Sequence, residues 1–503
     1  MSTSPASPAQ RAGSHGAGSP DEPGQAAWNE WKGSHRYSWM LNGWMADKFL
    51  TPDGGGTEFV TIGVPDDFIA VRVGFANINR SPWVVRKVIA CASASWNDLH
   101  NPIDSARVPR IAGDWSTLTF QNRGCDRSSL VTAAGAPKEI IIAENGADAN
   151  SGETSNPTWT FTDWVPCASI GADPATGMRV LMLRALVPSG QLVTYAHGML
   201  AGFGANAAIN KGYHHFIGGM KWNADLVSDP PSHVGSTITS DALEGNHIVY
   251  GQMMCLVQVL TRNAGIVGMV CGDSHQAGTS AMGGANNFVV QSLLGTGQTA
   301  IGTRPFGVVC TAVGGVASQQ IFPRMLALLH AVQPAFVILP GWTFNERDGE
   351  PHANERAESI FLARLLLAVD EVRSAGSVPI LVTPFPRDAA SIGPVLNVWS
   401  RQRETLLAMR ASGELVFDAT PLLGEARSGQ LTGTYRDGLS SDAVHPNDAG
   451  HATLARAFIP FLRGINGSHL PLSAFRQKLD EPGRGLTRDD GSRIQSRWIR
   501  TDS

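Results

Sequence analysis

The chain has 503 residues, with 39 Lys+Arg against 43 Asp+Glu, a net charge of −4 and only 16% charged residues. Set against 43% hydrophobic residues, this excludes charge-driven disorder for the bulk of the chain and a protein that works by neutralising phosphates. The length suits two or three domains.

Residues 1–27 are rich in Ser, Pro, Gly and Ala. They are expected to form a disordered leader and lack the apolar core of a signal peptide. No stretch is long and apolar enough for a membrane helix, so the chain as written reads as cytoplasmic. Six cysteines (Cys91, Cys125, Cys167, Cys255, Cys271, Cys310) lie far apart with no C-x-x-C pair. That spacing is neither a disulfide scaffold nor a zinc site, and most read as small buried residues.

From Trp28 to Thr261 the texture is β. Phe59–Ile62, Ile69–Val73, Val84–Ile89, Thr117–Phe120, Glu139–Ile142, Val180–Leu183 and Leu192–Tyr195 are predicted strands, several of them separated by turn signals. Ten of the 13 Trp fall here, and buried Trp at strand spacing is the expected case over sugar-stacking Trp. Many short strands predict a β-sandwich or jelly roll over 28–261. Residues 203–246 show little periodicity and read as a long loop or lid. Their His214-His215 pair has no third ligand at metal spacing, so no metal is expected.

After Ala264 strand and helix alternate. Gly265–Cys271 is a continuous apolar run, as a buried parallel strand requires. Helices follow over Phe288–Leu294, Met325–Val332, Ala353–Ser374, Val398–Ala411 and Ala449–Leu462. Between them, Gly307–Val313, Ala335–Leu339, Val378–Val382 and Glu414–Phe417 read as strands. The alternation predicts a three-layer, doubly wound α/β domain over 262–466, of the flavodoxin-like kind, followed by a polar tail over 467–503.

Chemistry in such sheets sits beyond the carboxyl ends of the strands. The first parallel strand ends in Gly272-Asp273-Ser274-His275. A Ser there exposes its hydroxyl and offers its own N–H, although a helix N-cap reads the same way. The last polar loop carries Ser441-Asp442-Ala443-Val444-His445-Pro446. An Asp three residues before a His brings its carboxylate to one ring nitrogen and frees the other for a nucleophile. Ser274, Asp442 and His445 are therefore the candidate nucleophile, orienter and base. Asp273 reads as a ligand for loop amides, His275 as a residue of the pocket wall or one supporting it from behind, not as a base, and Cys271 as buried.

These residues resemble the SGNH (GDSL) hydrolase superfamily: Gly-Asp-Ser at 272–274 its first block, Asp-x-x-His-Pro at 442–446 its last. No G-x-S-x-G elbow occurs. Val313-Gly314-Gly315-Val316-Ala317-Ser318 is similar to the second block. There the resemblance implies an oxyanion N–H at Gly315, with Gly314 the alternative; the usual Asn ahead of it is absent. Gly341-Trp342-Thr343-Phe344-Asn345-Glu346 is similar to the third block, with extra residues before Asn345 and Glu346 where Asp is usual. The implied oxyanion hole is Ser274, Gly315 and Asn345. Thr383-Pro384-Phe385-Pro386-Arg387 resembles a stretch of carbohydrate-active members that borders the cleft.

The resemblance implies a serine esterase acting on small-molecule or glycan esters, short acyl or acetyl preferred, with no cofactor and no nucleic-acid partner. Lipase, thioesterase and acyltransferase activities use the same triad. A glycan-binding protein that keeps the fold is the alternative from another class. The front half is similar to the β-rich domain that precedes the hydrolase in some bacterial members.

Overall fold

A computed structural model of the chain describes residues 35–40, 48–51, 53–64, 66–79, 81–93, 115–120, 140–142, 156–172, 178–194, 196–197, 216–223, 225, 227–228, 251–261, 267–281, 287–294, 307–346, 355–387, 396–427 and 430–468. The expected leader, His214-His215, Cys125 and residues 469–503 of the expected tail lie outside these ranges.

The front half contributes β1 (His35–Met40), β2 (Lys48–Leu50), β3 (Gly56–Val64), β4 (Phe68–Asn77), β5 (Trp83–Val85), β6 (Lys87–Ser93), β7 (Ser116–Thr117) and β8 (Ile140–Ile142). It continues with β9 (Thr158–Phe161), β10 (Val165–Pro166), β11 (Arg179–Val187), β12 (Leu192–Thr194), β13 (Ala196–His197), β14 (Phe216–Trp222), β15 (Gly251–Gln252) and β16 (Leu256–Thr261). The back half begins with β17 (Val267–Val270), α1 (Ser274–Ala277), α2 (Phe288–Leu294), β18 (Gly307–Cys310), α3 (Ser318–Val332), β19 (Phe336–Pro340) and α4 (Glu355–Ser374). It ends with β20 (Val378–Val382), α5 (Leu396–Ala411), β21 (Val416–Phe417), α6 (Thr420–Leu423), β22 (Gly424–Arg427), β23 (Gln430–Tyr435) and α7 (Asp448–Ser468).

Strands β18-β17-β19-β20-β21 are neighbours in that order and run parallel. In chain order they are the second, first, third, fourth and fifth of the series, the flavodoxin-like winding. Their residues are buried throughout, because helices cover both faces of a parallel sheet. Helix α4 shows the matching pattern. Ala357, Phe361, Leu365, Ala368, Val369 and Val372 are buried at three- and four-residue steps. It stops where Gly376 adopts φ 73° and its N–H reaches the Arg373 carbonyl.

Many short strands predict a sandwich over 28–261; most of these strands divide between two sheets, while β2-β12, β5-β8 and β13-β15 pair off separately. One set extends the parallel sheet: β1 pairs parallel with β18, then β16 and β4 follow antiparallel, giving a sheet of ten strands. The expected boundary at 261/262 therefore falls inside one continuous sheet. The other set, β14-β3-β11-β6-β7, is a five-stranded antiparallel sheet. Val60, Ile62, Leu181 and Leu183 from it share one buried cluster with Val71, Val73, Val257 and Val259 of the large sheet. Polar side chains fasten the halves together as well. Arg72 of β4 donates to the Ala331 carbonyl of α3 at 2.8 Å, as does Gln258 of β16 at 3.1 Å.

Three further readings are corrected. Strand β14 lies within 203–246, read from sequence as loop or lid. The hairpin β22–β23 and short α6 were not expected at all. The closing helix runs to Ser468, past its expected end at Leu462. Cys91, Cys167, Cys255, Cys271 and Cys310 are buried free thiols. No helix among the described residues is long and apolar enough to cross a membrane.

Candidate active site

Strand β17 delivers Ser274 to the sheet's carboxyl edge, where the strand order reverses between β17 and β19. The turn is tightly determined. A Cβ on Gly272 would sit 2.3 Å from Gln276 Oε1, so no side chain fits without displacing Gln276. Gln276 is held because its Oε1 accepts the Asp273 N–H at 3.2 Å. Asp273 caps α1 in turn, its Oδ1 accepting the His275 N–H at 2.9 Å. Gly278, at φ 79°, closes the helix after one turn. Ser274 occupies the first helical position, half-buried.

The loop from β23 to α7 brings the other two predicted residues. Asp442 Oδ1 accepts the N–H groups of Val444 at 2.9 Å and His445 at 2.7 Å, a tight Asx turn made possible by Ala443 at φ 59°. Asp442 Oδ2 lies 2.7 Å from His445 Nδ1 and also accepts the Ser280 hydroxyl at 3.0 Å. His445 Nε2 lies 2.9 Å from Ser274 Oγ. Ser274, His445 and Asp442 thus form one connected chain across 171 residues of sequence.

Desolvation alone would raise the Asp442 carboxyl, but hydrogen bonds from the His445 ring, the His445 and Val444 amides and Ser280 hold it well below the usual range. His445 is lowered from 6.5, first by burial and then by the nearby His275; its bond to Asp442 works in the opposite direction. The imidazole is therefore neutral at pH 7, the form able to accept a proton.

The remaining predicted residues lie on the two neighbouring loops. Gly315, at φ 75° with nothing within 4 Å of a built Cβ, turns an exposed backbone outward after β18. Among the described residues neither its N–H nor that of Ser274 donates to an acceptor. Asn345, after β19, is already engaged: its Nδ2 donates to the Val316 carbonyl at 3.2 Å and to Thr343 Oγ1 at 3.3 Å. It ties the second loop to the third. Glu346 is buried, accepting the Ser318 N–H at 2.8 Å and pairing with Arg364 at 3.1 Å. That makes it the N-terminal anchor of α3.

Sequence reasoning missed two participants and left the partners of a third open. Thr343 donates to Asp273 Oδ2 at 2.5 Å. Tyr435 donates to the Val444 carbonyl at 2.9 Å. His275, read as pocket wall, has both ring nitrogens bonded, to Asp273 Oδ1 and to Val444 O, each at 2.9 Å. The one usable signal was an Asp and a His flanking the Ser. Phe385, from the stretch after β20, packs edge-on to the His275 ring at 5.5 Å. Among the described residues no group of three or more His, Cys, Asp or Glu is placed to hold a metal.

No family model matches the chain, and no curated protein matches it. Solved structures that match include esterases, an acylhydrolase and lipolytic proteins described as G-D-S-L or GDSL-like. A lipolytic protein of the G-D-S-L family from Desulfitobacterium hafniense is 21% identical, covers 39% of this chain and 98% of its own, and has a TM-score of 0.32. An acetylxylan esterase from Geobacillus stearothermophilus is 21% identical over 40% of this chain and 95% of its own, with a TM-score of 0.31. A psychrotrophic esterase from Pseudoalteromonas is 14% identical over 40% and 99%, with a TM-score of 0.30.

Proposed function

We propose that this protein is a serine ester hydrolase of the SGNH type, acting on short acyl esters, acetyl esters of sugars among them. The observation that carries this reading is the 2.9 Å contact from Ser274 Oγ to His445, itself oriented by Asp442 at 2.7 Å.

Ser274 Oγ attacks the ester carbonyl while His445 Nε2 takes its proton. The oxyanion meets the N–H groups of Ser274 and Gly315, which are free to receive it. Asn345 supplies the third donor by exchanging its long contact to Thr343. Each donor of this kind is worth about 10²–10³ in rate. His445 returns its proton to the departing alcohol, leaving an acyl-Ser274. Water then gives a proton to His445 and attacks the acyl carbon. The acid departs as the proton returns to Ser274. Residues 262–466 carry every step, and the front half buttresses the sheet edge beyond β18.

Hydrolysis of p-nitrophenyl acetate, butyrate and octanoate tests the reading. The wild type is expected to prefer the two short esters, with Ser274→Ala inactive. Equal rates from both proteins contradict the assignment, and a preference for octanoate moves the substrate class to lipids.

The pH profile follows from the base. Neutral His445 is the working form and its midpoint is lowered, so kcat/KM is expected to rise with pH through a midpoint below 6.5 and to stay level above neutrality. Asp442 stays ionised throughout this range and adds no step. A midpoint above 7 contradicts His445 as the base.

A further inference from the structure

Beneath the triad lies a second Asp–His pair. Asp273 and His275 are both buried, with side-chain exposures of 1% and 6%. His275 Nε2 faces a carbonyl oxygen, which has only lone pairs to offer, so that nitrogen must carry a hydrogen. His275 Nδ1 faces Asp273 Oδ1, whose carboxylate also accepts the His275 N–H and, through Oδ2, the Thr343 hydroxyl. An acceptor with that many donors is ionised, so Nδ1 must carry a hydrogen too. A ring with hydrogen on both nitrogens is an imidazolium.

We propose that His275 is a positively charged positioning residue, whose imidazolium bridges the nucleophile's turn to the carbonyl of Val444 and so sets the loop that presents His445. This rests on the hydrolase reading above. Val444 immediately precedes His445, and its carbonyl receives both His275 Nε2–H and the Tyr435 hydroxyl, which fills its two lone pairs. The loop therefore cannot rotate without breaking two hydrogen bonds. The charge has a second consequence, because the His275 and His445 ring centres are 5.2 Å apart. A cation there disfavours protonation of His445 and keeps the base neutral. Facing His275 are Asp273 from its own turn, His445 and the Tyr435 hydroxyl from the β23–α7 segment, and Phe344 and Phe385 from the loops after β19 and β20. His451 of α7 and Asp442 also act on this group of charges.

Nitrogen-15 spectra of the full chain, recorded without substrate, test the charge. Both ring nitrogens of His275 are expected to carry hydrogen in the resting protein, as their two acceptors require. One bare nitrogen overturns the proposal. In His275→Gln the amide keeps a donor for Val444 but loses the charge. The His445 titration midpoint is then expected to rise, and kcat to fall about 10- to 100-fold with little change in KM. A melting-temperature change with midpoint and kcat unmoved means a merely structural role and overturns the proposal. Should the variant not fold, the wild-type spectra still decide. A wild type that hydrolyses no ester refutes the hydrolase reading, whereas the His275 spectra judge the charge separately.

Discussion

Replacing Ser274 with Ala is expected to lower kcat on p-nitrophenyl acetate by about 10⁶, and His445→Ala by about as much. The two effects should not add. Ser274 Oγ and His445 Nε2 share one proton across 2.9 Å. Removing either partner leaves the other nothing to do, so the double variant should match the singles. What survives is catalysis by the oxyanion donors and binding alone, about 10³–10⁴ over water. Both variants should fold, since Ser274 is half-buried at the surface of its turn and the His445 N–H still closes the Asp442 turn. Steady-state kinetics beside a thermal melt checks this. Single variants within tenfold of wild type, or strictly additive losses, contradict a shared proton.

Asp442→Asn should cost about 10⁴ in kcat with KM and melting temperature almost unchanged. Asn retains an oxygen for the N–H groups of Val444 and His445, which Asp442 accepts at 2.9 and 2.7 Å, so the turn survives. What changes is the partner at His445 Nδ1. A carboxylate enforces hydrogen on Nδ1 and a lone pair on Nε2, whereas an amide lets the ring turn its hydrogen toward Ser274. The lost charge also removes the group that stabilises the imidazolium formed on attack. A loss below tenfold would place Asp442 outside the triad.

The two ends of this constellation were legible because their spacing is local. Asp442 and His445 are three residues apart, so one short turn suffices to pair them. Ser274 follows an apolar run that reads as a buried strand wherever it is found. Loops were harder to read. Asn345 reads as an oxyanion donor from its block alone, whereas its partners Val316 and Thr343 depend on how the loops after β18 and β19 close on each other. Glu346 was seen as a departure from pattern, while its burial against Ser318 and Arg364 is a tertiary fact. His275 was placed near the site, yet the carbonyl it holds lies 169 residues away.

The front half shows the same limit on a larger scale. The apolar content of β3, β4 and β11 marks them as buried, and nearly all their described residues are. It does not say which strand lies alongside, since pairing is a long-range choice. Thus β1 pairs with β18 across roughly the whole intervening front half, with Trp39 opposite Val308, and part of the front half extends the central sheet while β14-β3-β11-β6-β7 form a second one. The β22–β23 hairpin was missed for a different reason. Its strands, Gly-Glu-Ala-Arg and Gln-Leu-Thr-Gly-Thr-Tyr, carry too few apolar residues to alternate visibly, and only the Ser428-Gly429 pair between them gives a turn signal.

The most direct measurement is covalent. A fluorophosphonate attacks only an activated serine, and peptide mass spectrometry locates the adduct. Wild-type protein is expected to take up one phosphonyl group on Ser274 and lose activity in step, with Ser274→Ala unlabelled. Active wild-type protein that stays unmodified, or carries the label on another residue, would contradict Ser274 as the nucleophile.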